Sequence, residues 1–144
     1  MCNNAFEDTM KLNFEIRRAE ARHDQDVWED CEDSKLHELL LTADQGLVSA
    51  SSVVYAMAEG ECVGAVQHTD YDSMDFMLCS IHTVYVKEEF RRKGIAEAML
   101  KALIDDPKYD SFMLDAEYGN PASFALYTKL GFIPHTINMQ RRRA

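Results

Sequence analysis

The segment FMLCSIHTVYVKEEFRRKGIAEAMLKALIDD, residues 76–106, constrains the architecture more than any other part of the chain. Its first half is rich in β-branched and aromatic residues, the composition of a long strand. Its second half sets Ile95, Met99, Ala102 and Leu103 at i, i+4, i+7 and i+8, one apolar helix stripe. Between them stand Arg91, Arg92, Lys93 and Gly94. A strand that enters a helix through a short turn, followed by the apolar DSFMLDAEY, requires an α/β arrangement with a mixed sheet.

The remaining punctuation fits that frame. LNFEIRRA alternates as a first strand, residues 20–35 read as an acidic helix, and LHELLLTA continues as a second helix that DQG stops. SVVYAMAEGECVGAVQHT is two apolar runs around Glu59-Gly60-Glu61, a β-hairpin. DYDSMD reads as a polar loop. In NPASFALYTKLGF, Asn120 suits the N-cap, Pro121 the first helical position and Gly131 the helix stop. FIPHTINMQRR is expected to form a final strand or a broken pair of strands. The predicted order is β-αα-ββ-β-α-β-α-β, in one domain over residues 1–144.

Composition limits the partners. A net charge of -10 opposes general nucleic-acid binding, which needs basic surface to displace counterions. No apolar run is long enough for a membrane span, and the first residues lack the pattern of a secretory signal. Cys2, Cys31, Cys62 and Cys79 form no CxxC and read as reduced thiols, so a cytoplasmic location is expected. Cys79 and His82 are three apart on a strand and face opposite ways, and no metal is expected.

Against this acidity, RRKGIA gathers positive charge at a helix start. Free N–H groups and the dipole there attract phosphate, and a glycine without Cβ admits an oxyanion close to the backbone. Taken alone, the same residues also describe an ordinary structural turn.

Together with NPASFALYTKLGF, the segment resembles the GNAT superfamily, the Gcn5-related N-acetyltransferases. Arg91, Gly94 and Ala96 match the family's phosphate turn. Asn120, Ser123, Tyr127, Lys129, Gly131 and Phe132 match its later helix motif, and the likeness is strong from about Phe76 to Phe132. The resemblance implies a GNAT-like fold with helices on both faces of the sheet and a splay between strands four and five. It implies acetyl-CoA as donor, with no metal. The pyrophosphate would meet the backbone from Arg92 through Lys93, Gly94 and Ile95 to Ala96, with Arg91 adding charge. Asn120, Ser123 and Tyr127 would complete the cofactor site from the later helix.

Acetyl transfer to an amine makes three demands. The tetrahedral oxyanion needs a donor, which by the resemblance is a backbone N–H of Val84, Tyr85 or Val86. The leaving thiolate needs a proton, and Tyr127 occupies the family's position for that acid; the alternative is an aromatic that only packs on the sheet. The amine must lose a proton. His82 in the central strand, Asp115 with Glu117 on strand five, or a water chain are the candidates for its base. A buried structural histidine and a simple strand end are the competing readings of those residues.

The acceptor side is acidic. Residues 20–44 hold Glu20, Asp24, Asp26, Glu29, Asp30, Glu32, Asp33, Glu38 and Asp44 against Arg22 and Lys35, and DYDSMD adds Asp70, Asp72 and Asp75. Such charge steers a cationic amine, a polyamine or aminoglycoside, or is merely a solvated face. Trp28 either covers an amine or packs in the helix core. A peptide amine and a non-catalytic acyl-CoA-binding module are the alternatives. The short segment after Phe132 raises a homodimer that shares strands.

Overall fold

The computed structural model describes residues 12–18, 36, 51–116 and 119–143. These form β1 (Phe14–Arg18), β2 (Ser51–Ala58), β3 (Glu61–Ser73), β4 (Phe76–Val86), a 3-10 turn (Glu88–Phe90), α1 (Ile95–Ile104), β5 (Ser111–Leu114) and α2 (Pro121–Lys129). The sheet runs β1-β2-β3-β4-β5. Its first three pairings are antiparallel and β4–β5 is parallel, so the sheet is mixed as the strand–helix–strand pattern requires. The acidic helices expected over residues 20–44 lie outside the described residues, except that Leu36 is helical and fully buried.

Two tight hairpins build the antiparallel half. Glu59 and Gly60 join β2 to β3 with φ of 52° and 79°. Two successive left-handed residues make the type I′ turn that matches strand twist. Met74 and Asp75 join β3 to β4 in the same way, with φ of 46° and 68°. The polar loop expected at DYDSMD is therefore a correction. Asp70 to Ser73 continue β3, and only Met74-Asp75 turn. Asp70 is held by His68 and Tyr109, and Asp72, on the same face, is exposed where the strand runs out to its turn.

Helix α1 lays Ile95, Met99, Leu100 and Leu103, each at most 1 % exposed, on one sheet face. They meet Val54, Ala56, Val66, Cys79, Ile81 and Val86 there. Full burial of each large side chain contributes ~1.5–3 kcal/mol. Gly64 sets the depth of contact. A Cβ at that position would stand 3.1 Å from Met99 Cε and 3.0 Å from the Tyr85 carbonyl oxygen. The opposite face is covered too, since Val53, Tyr55 and Ala65 are also buried. Arg18 of β1 ties the far end of α1 by bonds to the Ala102 carbonyl (3.2 Å) and to Asp106 (2.7 Å).

The final strand predicted from FIPHTINMQRR is a second correction. Residues 133–143 form no strand, and Ile133, Ile137 and Met139 are more than four-fifths exposed. Pro134 lacks the N–H that a ladder needs at the point where the segment would begin pairing.

Candidate active site

The parallel pairing stops early. β4 and β5 are in register only from Leu78↔Ser111 to Ile81↔Leu114, while β4 runs on to Val86. The last five residues of β4 thus border a wedge that opens where β5 ends. Opposite β3 the ladder continues, with Lys87 donating to the Val63 carbonyl at 2.8 Å. Antiparallel hydrogen bonding alternates along a strand. That bond therefore directs the peptide groups of Tyr85 toward Ala65 and those of Val84 and Val86 away from β3, toward the wedge. Of the three backbone donors expected from the sequence, Val84 and Val86 direct their N–H groups toward the wedge and Tyr85 directs its own toward β3. The Val86 carbonyl is in turn taken by Arg91, whose Nε donates to it at 2.9 Å.

The cationic turn lies directly beyond. Arg92 and Gly94 have φ of 63° and 81°, and Gly94 is the N-cap of α1 with no side-chain cap. The first bond of the helix runs from the Ala98 N–H to the Gly94 carbonyl at 3.0 Å. The N–H groups of Ile95, Ala96 and Glu97 precede any helical acceptor. Left-handed residues on either side of Lys93 fold such N–H groups into an anion-binding concavity. A left-handed arginine costs ~1–2 kcal/mol, a strain typical of functional turns. Arg92, Lys93 and Gly94 are exposed, whereas the Ile95 side chain is core and only its N–H serves the site. Arg91, expected to add charge at the turn, is exposed and is held in place by its Nε bond to the Val86 carbonyl and by the Tyr85 ring, 5.8 Å from its guanidinium.

Helix α2 supplies the third wall. Asn120 Oδ1 accepts the Ser123 N–H at 3.2 Å, so the asparagine caps the helix as its position predicted. Tyr127 packs against the α1 cluster and meets Phe132 edge to face at 6.1 Å. Burial pushes its hydroxyl pKa above the ordinary 10, opposed by a hydrogen bond with Ser123. The phenol thus stays protonated at neutral pH, the state a proton donor needs. Asn120 and Ser123, expected to touch cofactor, already serve α2 and Tyr127.

The base candidates fare differently. Gln67 pairs with Thr83 and His68 with Ile81, which leaves His82 unpaired on a β-bulge. Its ring is exposed rather than buried, and Nε2 lies 2.7 Å from Thr69 Oγ1. Asp115 is exposed and stands one residue beyond the end of β5, not within it. Glu117 and Trp28 lie outside the described residues. Of the DYDSMD carboxylates, Asp72 and Asp75 sit at the β3–β4 turn. That turn is about 26 Å along β4 from Val84, at about 3.3 Å per residue, so they do not line the wedge.

Asp70 belongs to a cluster the sequence did not reveal. His68 Nδ1 lies 2.8 Å from Asp70 Oδ1, and Tyr109 donates its hydroxyl to Asp70 Oδ2 at 2.8 Å. Lys108 Nζ is 3.5 Å from the same oxygen. Burial holds the His68 imidazole below its usual pKa, so it is neutral. Burial would raise Asp70, but the bonds from Tyr109 and His68 outweigh it and keep the carboxyl ionised. Cys79, opposite Asp70 on β4, is pushed up to about 12 by burial and by the Asp70 charge. The register of β3 and β4 brings His68, Asp70 and Cys79 together, and the segment before β5 adds Lys108 and Tyr109. Neither Cys79 nor Cys62 is in a disulfide. Among the described residues no helix is long and apolar enough to cross a membrane.

The geometry agrees with known proteins. Residues 10–132 match the acetyltransferase (GNAT) family. An L-methionine sulfoximine/L-methionine sulfone acetyltransferase of Pseudomonas aeruginosa is 33% identical over 84 residues, 56% of this chain and 49% of that protein. The chain thus spans about half the length of the curated relatives it matches. The crystal structure of a ribosomal-protein-alanine N-acetyltransferase from Brucella melitensis superposes with a TM-score of 0.69 at 20% identity, covering 91% of this chain and all, 100%, of the other. An aminoglycoside N-acetyltransferase in complex with CoA gives a TM-score of 0.63 at 18% identity, over 92% of this chain and 97% of that one. The chain belongs to the acetyltransferase (GNAT) family.

Proposed function

We propose that the chain is a single-domain N-acetyltransferase that moves an acetyl group from acetyl-CoA to a primary amine on a cationic small molecule. The observation that carries this reading is the uncapped, left-handed start of α1 beside the β4–β5 wedge. The N–H groups of Ile95, Ala96 and Glu97 would hold the pyrophosphate, with Arg92 and Lys93 at its rim. The outward Val84 carbonyl and Val86 N–H would pair with the amides of the pantetheine arm. The Val84 N–H would stabilise the oxyanion.

In this scheme the amine attacks the acetyl carbonyl directly within a ternary complex. Tyr127 gives its proton to the departing thiolate. His82 serves as base only as the tautomer that donates its Nε2 proton to Thr69 and keeps a lone pair on Nδ1. A water that carries the proton to His82 or Asp115 would do the same work. The cationic acceptor is supported by residues 20–44, with their nine acidic side chains against two basic ones, and no longer by the β3–β4 turn. The unpaired tail over 133–143 is consistent with a homodimer that shares it, which light scattering tests.

Acetyl-CoA turnover decides the reading when measured on a panel. The panel holds a diamine, an aminoglycoside, methionine sulfone and a peptide with a free N-terminal alanine. Preference for the diamine or aminoglycoside is expected. Preference for the peptide or the amino acid would overturn the acceptor class. Tight CoA binding without turnover on any amine would make the chain a binding module.

A further inference from the structure

We propose that His68, Asp70 and Cys79 form a site for a zinc-like divalent ion, separate from the wedge. Their ligand atoms all lie within 4.8 Å of one another. They come from adjacent strands on one sheet face: His68 and Asp70 are two apart on β3, and Cys79 is the direct partner of Asp70 on β4. His68 is 2 % exposed and Cys79 fully buried, so rigid core elements hold both. The Tyr109 hydroxyl, bonded to Asp70, offers a fourth donor.

The donor set is selective. One imidazole nitrogen, one thiolate and one carboxylate suit a borderline ion in tetrahedral geometry, and they are poor ligands for magnesium or calcium. Bond lengths of about 2.0–2.3 Å put tetrahedral donors ~3.3–3.7 Å apart. The spacing found therefore closes by side-chain rotation, without movement of the strands. On binding, the Cys79 thiol loses its proton to solvent. The His68–Asp70 bond opens, and the imidazole turns its Nδ1 lone pair to the ion and carries its proton on Nε2. Lys108, about half exposed and 3.5 Å from Asp70, swings into solvent and opens the route of entry.

The ion would work as a staple. It would join β3 to β4 under the loop that carries Tyr109 into β5, beside the last paired rungs before the wedge. His82 takes no part, because the bulge there turns its ring to Thr69.

The test uses the whole protein freed of metal, with Co²⁺ as a spectroscopic probe and Zn²⁺ for stability. Wild type is expected to bind one Co²⁺ with a thiolate charge-transfer band, and Zn²⁺ in hundredfold excess over Kd should raise Tm by about 5 °C or more. Cys79→Ser should lose the band, and His68→Gln should weaken Co²⁺ at least tenfold. Tyr109→Phe should retain the band. Circular dichroism checks that each variant folds. Absence of the band in wild type overturns the proposal. So does a band that survives in Cys79→Ser, because the thiol would then be another cysteine.

Discussion

Lys129 at the end of α2 bonds Glu97 in the first turn of α1, with Nζ 3.1 Å from Oε1 and 3.2 Å from Oε2. The contact joins the helix that carries Tyr127 to the helix whose start forms the cationic turn. Lys129 also neutralises the one carboxylate in that first turn. The bond to Lys129 holds the Glu97 carboxyl below its usual pKa. A lowered carboxylate pKa contributes above the unfolded value of 4.5 and is lost as pH falls through the folded value, so the pair persists across neutral pH.

Removing the cation should therefore strengthen the negative charge beside the cationic turn, since among the described residues only Lys101, 3.5 Å from Oε1, is left to offset it. Lys129→Gln is expected to weaken CoA binding ~2–5-fold at low salt, with the loss shrinking as salt screens it. Glu97→Gln should bind CoA at least as well as wild type. Calorimetric titrations at two ionic strengths check this, and equal losses in both variants at both salts would contradict it.

Gly94→Glu should abolish CoA binding. A Cβ at Gly94 meets nothing within 4 Å, so the change is tolerated sterically. Its φ of 81° strains any side chain, at ~1–2 kcal/mol of stability. The carboxylate would then fill the proposed pyrophosphate site. Gly94→Ala carries the same strain without the charge and separates the two effects. If both variants bind CoA equally, charge at the turn is irrelevant.

Tyr127→Phe should lower kcat by ~10²–10⁴-fold with acetyl-CoA affinity nearly unchanged. Because burial raises the phenol above its ordinary pKa of 10.0, the acid stays protonated as pH rises to that value. The alkaline fall in kcat that belongs to Tyr127 is thus expected above pH 10 and should vanish in the variant. Near-native turnover in the variant would reduce Tyr127 to packing.

The β3–β4 turn can be improved. Met74 is 97% exposed at φ 46°, and neither Met74 nor Asp75 is the residue a type I′ turn prefers. Met74→Asn with Asp75→Gly should gain ~0.5–1 kcal/mol and raise Tm by about 2–4 °C. Calorimetry on the double variant reads this directly, and a lower Tm would mean that the methionine has a role in the turn. Turnover of cationic amines should not change, since this turn is remote from the wedge.

These positions also show what was legible in advance. The α1 stripe, the Glu59-Gly60 hairpin and the Asn120 cap each rest on residues within one turn or one strand, so local pattern sufficed. The second hairpin lacked its glycine signal, and Asp70 and Asp72 made an exposed strand end look like a loop. The His68 cluster and the His82 bulge depend on the register between β3 and β4, which no local pattern encodes. Arg91 matched a motif position, but the motif does not say that its Nε is anchored on the Val86 carbonyl. The tail after Phe132 had strand-like composition, and Pro134 was the only warning that it would not pair.

The open edge of β4 offers peptide groups, and every residue type carries the same ones. Val84 and Val86 turn their side chains to the α1 core, while Tyr85 projects from the opposite face. A substitution at Tyr85 therefore changes the chemistry of that face and leaves the strand's outer hydrogen-bonding row as it was. Whatever engages that row meets backbone alone, so side-chain changes on the far face leave its hydrogen-bonding pattern in place.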